Sequence, residues 1–520
     1  MCFLRSVSGD GDPDMHPCRQ LRPIIPPTFI FLHQHQPHTA DSINSPYLSI
    51  SIPESFENAS MTHLQVDKPY RMKFLLHSHF PAGHCYPMQA VAQELVARGH
   101  HVVWLTSADN EARVRAVGAE FVPARTLAAL DGPLAKENAT GLLDGNYGRL
   151  QGRLLAQVED YRAAIKVSSA GPSGDSSSFP DLLLVDVLPH GAAALYELGE
   201  VPVYATLGVI PMYLSSARAP LPVSGQAPPT TWLGVLRNWL RQTINRLILL
   251  PWLLRPVINR QRLALGLRSL PFGQIFESFT YSPFLHVQAS SPTLEFRMLP
   301  QWPSKEYTQG HTVFVGPLVT QLKTPADHHL PAWWGRVLDH PRVIGITQGT
   351  LAMDPTSLIV PSIQALANDP ENLLIVVSPH AADIKAKAAE RNQPLGDNVL
   401  LAEWLPYHVL LPQLRLLITN GGYGSITQAL SHGVPLLCAG QTEDKRDTAA
   451  RVAWAKAGVD LGTDSPSVEQ VYEAASMILE QDSYRNNAAR LGAELRNLGG
   501  AAVACDHLEE LARKGLPDQE

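Results

Sequence analysis

The chain has 520 residues, and 41 Lys and Arg against 48 Asp and Glu leave a net charge of −7 near neutral pH; that length exceeds one ordinary core and suits two domains. Hydrophobic residues make up 45 % and charged residues 17 %, the composition of a chain that folds and not of a disordered one. The acidic balance, with no run of Lys and Arg, excludes a nucleic-acid binder, which needs positive charge clustered on one face. Five cysteines, Cys2, Cys18, Cys85, Cys438 and Cys505, odd in number and without CxxC or zinc-knuckle spacing, are expected as free thiols in a reducing compartment.

Residues 1–68 are rich in Pro and Ser and show no apolar period, and they have neither the Arg-rich character of a transit peptide nor the apolar core of a secretory signal. They are expected to be a disordered N-terminal extension, with Met61 as an alternative start. From Met72 the pattern changes to a short apolar run suited to a buried parallel strand. A Pro/Gly turn follows, then a helix with its apolar face on Met88, Val91, Ala92, Leu95 and Val96, closed by Gly99. The run His101–Thr106 is a second strand, completing a β-loop-α-β unit, and strands are expected again at Asp181–Val185 and Val201–Thr206. The stretch Leu233–Leu254 is rich in Leu and Trp but interrupted by Arg237, Arg241 and Arg246, too short an apolar run for a membrane span of about 18 to 20 residues. It is expected as an amphipathic helix lining an apolar pocket, with ordinary helix packing or membrane-surface contact as the alternatives.

A Pro-rich passage around Gly316, Pro317, Pro325 and Pro331 breaks the pattern and marks a linker. Strands resume at Arg342–Thr347, Leu373–Ser378, Val399–Ala402, Leu416–Thr419 and Val434–Ala439, alternating with helices at Pro355–Leu366, Ser425–Ser431 and Thr448–Ala457. The expected architecture is α/β, two doubly wound Rossmann-like domains facing each other across a cleft: residues 69–318 for the acceptor, a linker at 319–336, residues 337–485 for the donor, and helices over 486–520 that return to the first domain.

Ligands of open α/β sheets bind beyond the C-terminal ends of the strands, and three loops stand out there. After the first strand comes His77-Ser-His79-Phe-Pro-Ala-Gly83-His84. His84 opens a helix beside Gly83, where the positive helix N-terminus is expected to hold it neutral as a base, while His77 and His79 are expected to make loop hydrogen bonds. Asp186 ends the strand Asp181–Val185 at the same rim, either as an orienting partner for His84 or as a helix cap. The turn Asn420-Gly421-Gly422-Tyr423-Gly424-Ser425 joins a strand to a helix and presents backbone N–H groups and a hydroxyl suited to a diphosphate. Gly349 and Thr350 follow the first strand of the second half, as a further ligand contact or a simple turn.

Together these segments resemble the nucleotide-sugar-dependent glycosyltransferases of the macrolide, plant and vertebrate UDP-glycosyltransferase family (family 1), which have the GT-B fold. Gly83-His84-Cys85-Tyr86-Pro87, Val315-Gly316-Pro317 and the stretch from Trp404-Leu405-Pro406 to Arg451-Val452 carry the likeness, which spans roughly residues 72–511. The resemblance implies His84 as the base that deprotonates the acceptor and Asp186 as its partner, Trp404 stacking on the nucleotide base, Asn420, Gly421, Gly422, Gly424 and Ser425 at the diphosphate with Thr350 helping, and Asp444 reading sugar hydroxyls. Three positions depart from the family pattern. Asn420 stands where most members have His, Gln428 where a ribose-binding Glu is usual, and Asp444-Lys445 where Asp-Gln is usual. Lys445 is left three roles: a carboxylate on the sugar, the diphosphate, or an ion pair with Glu443.

The expected activity is metal-independent, inverting transfer of a hexose, glucose by default, from a UDP-sugar to a hydroxyl of a lipophilic small molecule. The protein is expected to be a cytoplasmic monomer with no cofactor, no nucleic-acid partner and at most peripheral membrane contact. The rivals are an NAD-dependent Rossmann enzyme, for which residues 77–84 lack GxGxxG, a metal hydrolase using His77-x-His79, and a catalytically inactive sugar-nucleotide-binding or scaffold protein of the same fold.

Overall fold

The structure, a computed structural model, describes residues 71–136, 150–169, 179–296, 312–320, 330–349, 354–390 and 395–515. The expected extension 1–68, the middle of the expected linker and Thr350 lie outside the described residues.

Short aliphatic runs form the strands, and their side chains alternate between two buried faces. In the first half these are β1 (Lys73–His77), β2 (His101–Thr106), β3 (Glu120–Pro123), β4 (Leu182–Val185), β5 (Tyr204–Gly208), β6 (His286–Gln288) and β7 (Thr312–Phe314). They form a parallel sheet in the order β3-β2-β1-β4-β5-β6-β7. Phe74, Leu76, Leu182 and Leu184 point into one core, and Leu75, Leu183 and Val185 into the core on the other face. Helices cover both faces, as an all-parallel sheet demands. Those that bear on the site are α1 (Ala82–Ala97), α2 (Arg153–Ser169), α3 (His190–Glu197), α4 (Trp232–Ile244) and α5 (Arg255–Ala264).

The second half repeats the arrangement with β8 (Val343–Thr347), β9 (Leu373–Val377), β10 (Val399–Ala402), β11 (Leu414–Thr419), β12 (Leu436–Cys438) and β13 (Gly458–Asp460). Their order is β10-β9-β8-β11-β12-β13, again parallel. Its helices include α6 (Ile359–Leu366), α7 (Tyr423–Ser431), α8 (Lys445–Trp454), α9 (Val468–Glu480) and α10 (Asp482–Asn497). The last helix, α11 (Gly500–Gly515), packs on the first half, where Ala504, Cys505, Leu508 and Ala512 belong to the same core as Phe74 and Leu76. Arg98 beyond α1 holds it further, donating to Asp506 at 2.7 Å and Glu509 at 2.9 Å.

Several boundaries differ from the sequence expectation. The strand expected at Val201–Thr206 runs over Tyr204–Gly208, shifted forward because Pro202 cannot donate to the ladder. Helix α8 begins at Lys445 and not Thr448, and α6 at Ile359 and not Pro355. The larger correction concerns α4. Its buried side chains are Asn238 and Gln242, and its Trp and Leu side chains are exposed. Among the described residues the apolar side of the helix therefore encloses no pocket. Its polar side is the inner one because Asn238 and Gln242 donate to the carbonyls of the loop Leu214–Ala219.

The two halves are held together by a buried polar cluster. Glu295 accepts from Arg451 Nε at 2.8 Å, from the Tyr423 hydroxyl at 2.6 Å and from the Met212 N–H at 2.9 Å. Arg451 also donates to the Met212 carbonyl at 2.7 Å and lies over the Phe296 ring. Asp447 accepts from the backbone N–H groups of Val223 at 2.5 Å and Gly225 at 2.6 Å. A buried charge pair persists when its remaining donors and acceptors are satisfied, and here both carboxylate oxygens of Glu295 are engaged.

Candidate active site

In each sheet the strand order reverses at one point, between β1 and β4 in the first and between β8 and β11 in the second. A crevice opens where the loops diverge at such a point. The loop after β1 carries His79 and His84, and Asp186 directly follows β4. The register pairs His77 with Val185, which brings the two loops side by side.

Asp186 is a buried carboxylate with four N–H partners. Its Oδ2 receives His84 Nδ1 at 2.9 Å and the His79 backbone N–H at 2.8 Å. Its Oδ1 receives His79 Nδ1 at 2.8 Å and the Val187 N–H at 2.6 Å. Burial alone pushes such a carboxyl up, but His79 and His84 outweigh it and hold Asp186 well below the usual carboxylate range. With Nδ1 of His84 spent on Asp186, Nε2 is the nitrogen left for a ligand, and the side chain keeps 22 % of its surface exposed. A Cβ on Gly83 would meet nothing within 4 Å, so the space beside His84 is open.

His84 is not held below the usual imidazole range, contrary to the expectation for a helix N-terminus. Burial disfavours its protonated form, yet the hydrogen bond and charge of Asp186, aided by Asp444 and Glu443, raise its pKa above the usual 6.5. Asp444 and Glu443 precede α8 in the second half, so their influence, and that of His84 on Asp444, shows that the two halves bring these groups to one place. Burial is the main reason that Asp444 itself is raised.

His79 is a partner that sequence reasoning passed over as a loop residue. Its Nε2 meets Arg153 on α2 at 3.0 Å, and Arg153 in turn pairs with Asp131. Nothing in the sequence links Arg153 to a loop 74 residues earlier. His77 points elsewhere, with Nδ1 on the Tyr161 hydroxyl at 2.8 Å, and burial first of all drives its pKa down to about 3. His77 and His79 thus do not converge as a ligand pair. Among the described residues the group that could surround a cation is His79, His84 and Asp186, with ligand atoms within 4.8 Å.

The second crevice holds the other expected residues. Asn420 follows β11 and is buried; its amide donates to the Gln348 carbonyl after β8, bridging the reversal point. Gly421 has φ of +86°, a conformation that requires glycine, and it turns the chain into α7. A Cβ on Gly422 or Gly424 would meet nothing within 4 Å, leaving that backbone open to a ligand. Ser425 lies 3.5 Å from the Tyr407 hydroxyl, and Gln428 Nε2 donates to the Gly424 carbonyl at 3.1 Å. Trp404, after β10, is 57 % exposed. Lys445 is buried and pairs with Glu443, the third of the roles open to it. Gln348 Oε1 and Thr419 Oγ1 are buried without a hydrogen-bond partner among the described residues, an unusual state at the end of a strand. The hydroxyl of Tyr423 and the carboxylate of Glu295 tie the start of α7 to the first half. Sequence reasoning missed both, along with Gln288, which donates to the same hydroxyl at 2.6 Å.

The model of the C-terminal domain of erythromycin biosynthesis protein CIII-like proteins matches residues 376–509. Over most of its length the chain is similar to 4'-demethylrebeccamycin synthase of Lentzea aerocolonigenes, 32 % identical over 82 % of this chain and 97 % of that protein. It is also similar to UDP-glucosyltransferase A1 of Starmerella bombicola, 28 % identical over 83 % of this chain and 90 % of that protein. The fold is shared with the glycosyltransferase of kitacinnamycin, at a TM-score of 0.61 and 19 % identity, covering 86 % of this chain and all of the other. Two parallel Rossmann-like sheets, their paired crevices and a full-length relative at this identity lead to one conclusion: the chain belongs to family 1 of the UDP-glycosyltransferases, enzymes of the GT-B fold.

Proposed function

We propose that the protein is a metal-independent, inverting glycosyltransferase that moves a hexose from a UDP-sugar to a hydroxyl of a lipophilic natural product, with His84 as base and Asp186 as its partner. The observation that carries the proposal is His84 held through Nδ1 by a buried, saturated carboxylate at the mouth of the cleft. A relative named UDP-glucosyltransferase A1 supports glucose as the sugar, and the ion pair of Lys445 with Glu443 disfavours Lys445 as the partner of an acidic sugar.

An acceptor hydroxyl is too weak an acid to ionise near neutral pH. Its oxygen attacks the anomeric carbon while its proton passes to His84 Nε2, general base catalysis worth about 10² to 10⁴ in rate. The bond from the anomeric carbon to the diphosphate breaks in the same step, and UDP leaves with the electron pair. Attack opposite the leaving group inverts the centre, through an oxocarbenium-like transition state. Asp186 stabilises the imidazolium as it forms. Charge building on the diphosphate meets the open N–H groups of the Gly422–Ser425 turn and the N-terminus of α7, with Trp404 available to stack on the base.

Metal independence is supported by the bonding of Asp186. Each of its oxygens already accepts two N–H groups, so coordination to a cation would break the clamp that holds His84. The buried free thiols of Cys85, Cys438 and Cys505 support the cytoplasm as its compartment. No helix among the described residues is long and apolar enough to cross a membrane.

A thermal-shift panel of UDP, UDP-glucose, UDP-glucuronic acid, dTDP and NAD, each with and without EDTA, tests the donor. UDP and UDP-glucose are each expected to stabilise the protein to the same extent with and without EDTA, rising with the logarithm of ligand concentration over dissociation constant. A shift abolished by EDTA, or none with any uridine nucleotide, would refute the assignment.

A further inference from the structure

Helix α4 is inside out for a soluble domain. At about 100° per residue, Trp232, Leu236, Trp239 and Leu240 fall on one stripe, and each is more than half exposed. Trp232 reaches 74 %. The opposite side, Asn238 and Gln242, is buried and spent on loop carbonyls. The helical path continues without a break through Asn245–Leu254 into α5, and this segment exposes Ile248 at 52 % and Trp252 at 76 %. A contiguous apolar surface of this kind marks an interaction site.

The charged side chains carried by this stretch of chain are of one sign, and the carboxylate that acts on Arg246, Glu277, is buried. Between Glu200 and Glu277 the sequence holds no acidic residue, and every charged side chain in the interval is an arginine. On the same spacing Arg237 flanks the stripe on the Leu240 side, Arg241 lies beyond Arg237 and farther from the stripe, and Arg246 follows one turn on; all three are exposed. None of them makes an ion pair among the described residues. Arg241 reaches the Gln226 side chain at 3.4 Å and Arg246 the Gly273 carbonyl at 2.6 Å. The chain as a whole carries −7, so an anionic surface repels most of the protein and attracts this face, which sets orientation as well as affinity.

We propose that α4 and the turn through Trp252 dock on the interface of an anionic lipid bilayer. The helix lies in the plane of the headgroups, its Trp and Leu side chains among the upper acyl chains, where amphipathic rings prefer to sit. Arg237, Arg241 and Arg246 meet lipid phosphates. The same stripe lacks the length to span the bilayer, so the attachment is peripheral and reversible. Because Asn238 and Gln242 fasten the helix to the loop Leu214–Ala219, binding requires no unfolding of that contact.

The test is co-sedimentation of the full chain with vesicles of phosphatidylcholine alone and of phosphatidylcholine mixed with phosphatidylserine. At least about tenfold stronger binding to the mixed vesicles is expected, weakening as salt is raised. The double variant Trp239→Ser with Trp252→Ser and the double variant Arg237→Glu with Arg241→Glu should each reduce binding about tenfold, with the circular dichroism spectrum and the nucleotide thermal shift unchanged. These side chains are exposed, so both variants keep the core; if one pair alters the spectrum, the other decides. Absence of binding, equal binding to neutral vesicles, or variants that bind like the parent would overturn the proposal. A dimer in analytical ultracentrifugation that Trp239→Ser disperses, in a protein that ignores vesicles, would overturn it in favour of a second copy of the chain.

Discussion

The imidazole of His84 reaches the carboxylate of Asp186 across the two strands at which the first sheet reverses its order, Nδ1 to Oδ2 at 2.9 Å. The contact raises the histidine and lowers the aspartate, and it sets a direction for the pH profile. A base acts only when neutral, so kcat/KM should rise with pH through an apparent pKa above 6.5, the ordinary imidazole value. Asp186→Asn removes the charge that raises it, and the acid limb should then move to lower pH while the maximal rate falls by about 10² or more. His84→Gln should cut turnover by at least about 10² with UDP affinity unchanged. Rate–pH profiles with isothermal titration of UDP check all three; equal loss of turnover and UDP binding in His84→Gln would make His84 a structural residue.

Three histidines whose charged form is disfavoured by desolvation, His77 and His286 buried and His190 partly buried, bear on the acid stability. His77, His190 and His286 are driven down to about 3, about 4 and about 4, in each case by burial first. A group depressed in the folded state stabilises above its unfolded pKa, near 6.5, and that contribution is lost as pH falls toward the folded value. Each histidine contributes a slope of up to about 1.4 kcal/mol per pH unit in that window. His84, shifted the opposite way, stabilises below 6.5 and only partly offsets them. Urea midpoints measured from pH 7.5 to 4.5 should fall steeply from about pH 6, well before carboxylates titrate. A flat profile down to pH 5 would contradict it.

The Glu295–Arg451 pair joins the halves while fully buried. Arg451→Ala leaves the carboxylate unpaired, and a loss of about 3 to 5 kcal/mol in unfolding free energy is expected. Arg451→Met with Glu295→Leu should recover a large part of it, because apolar replacement of both partners removes the unpaired charge. Chemical denaturation of the single and double variants checks the difference.

Trp404 stands 57 % exposed after β10, with most of its ring outside the core. Trp404→Ala should therefore leave stability near that of the parent and weaken UDP binding by about 1 to 3 kcal/mol, the scale of base stacking. An unchanged dissociation constant would remove Trp404 from the donor site.

Much of the fold was legible because buried parallel strands are short aliphatic runs and their crossover helices follow a 3.6-residue period. Gly83-His84 and the glycine-rich turn after β11 were readable for a related reason, since both lie where a strand gives way to a helix. Their partners were less legible. Asp186 was one of two readings for a carboxylate after a strand, and only the adjacency of β1 and β4 brings it within reach of His84 and His79.

By itself the sequence determined two doubly wound α/β halves, the family, and the loops that face the cleft, because each rests on local patterns within a few turns of chain. The tertiary structure alone decided that His79 and Arg153 extend the His84–Asp186 contact and that Glu295, Tyr423 and Arg451 lock the halves. It also turned α4 with its tryptophans outward. These follow from which strands neighbour one another and which polar groups must be satisfied once buried. Such contacts join residues far apart in the chain and leave no periodic mark on it.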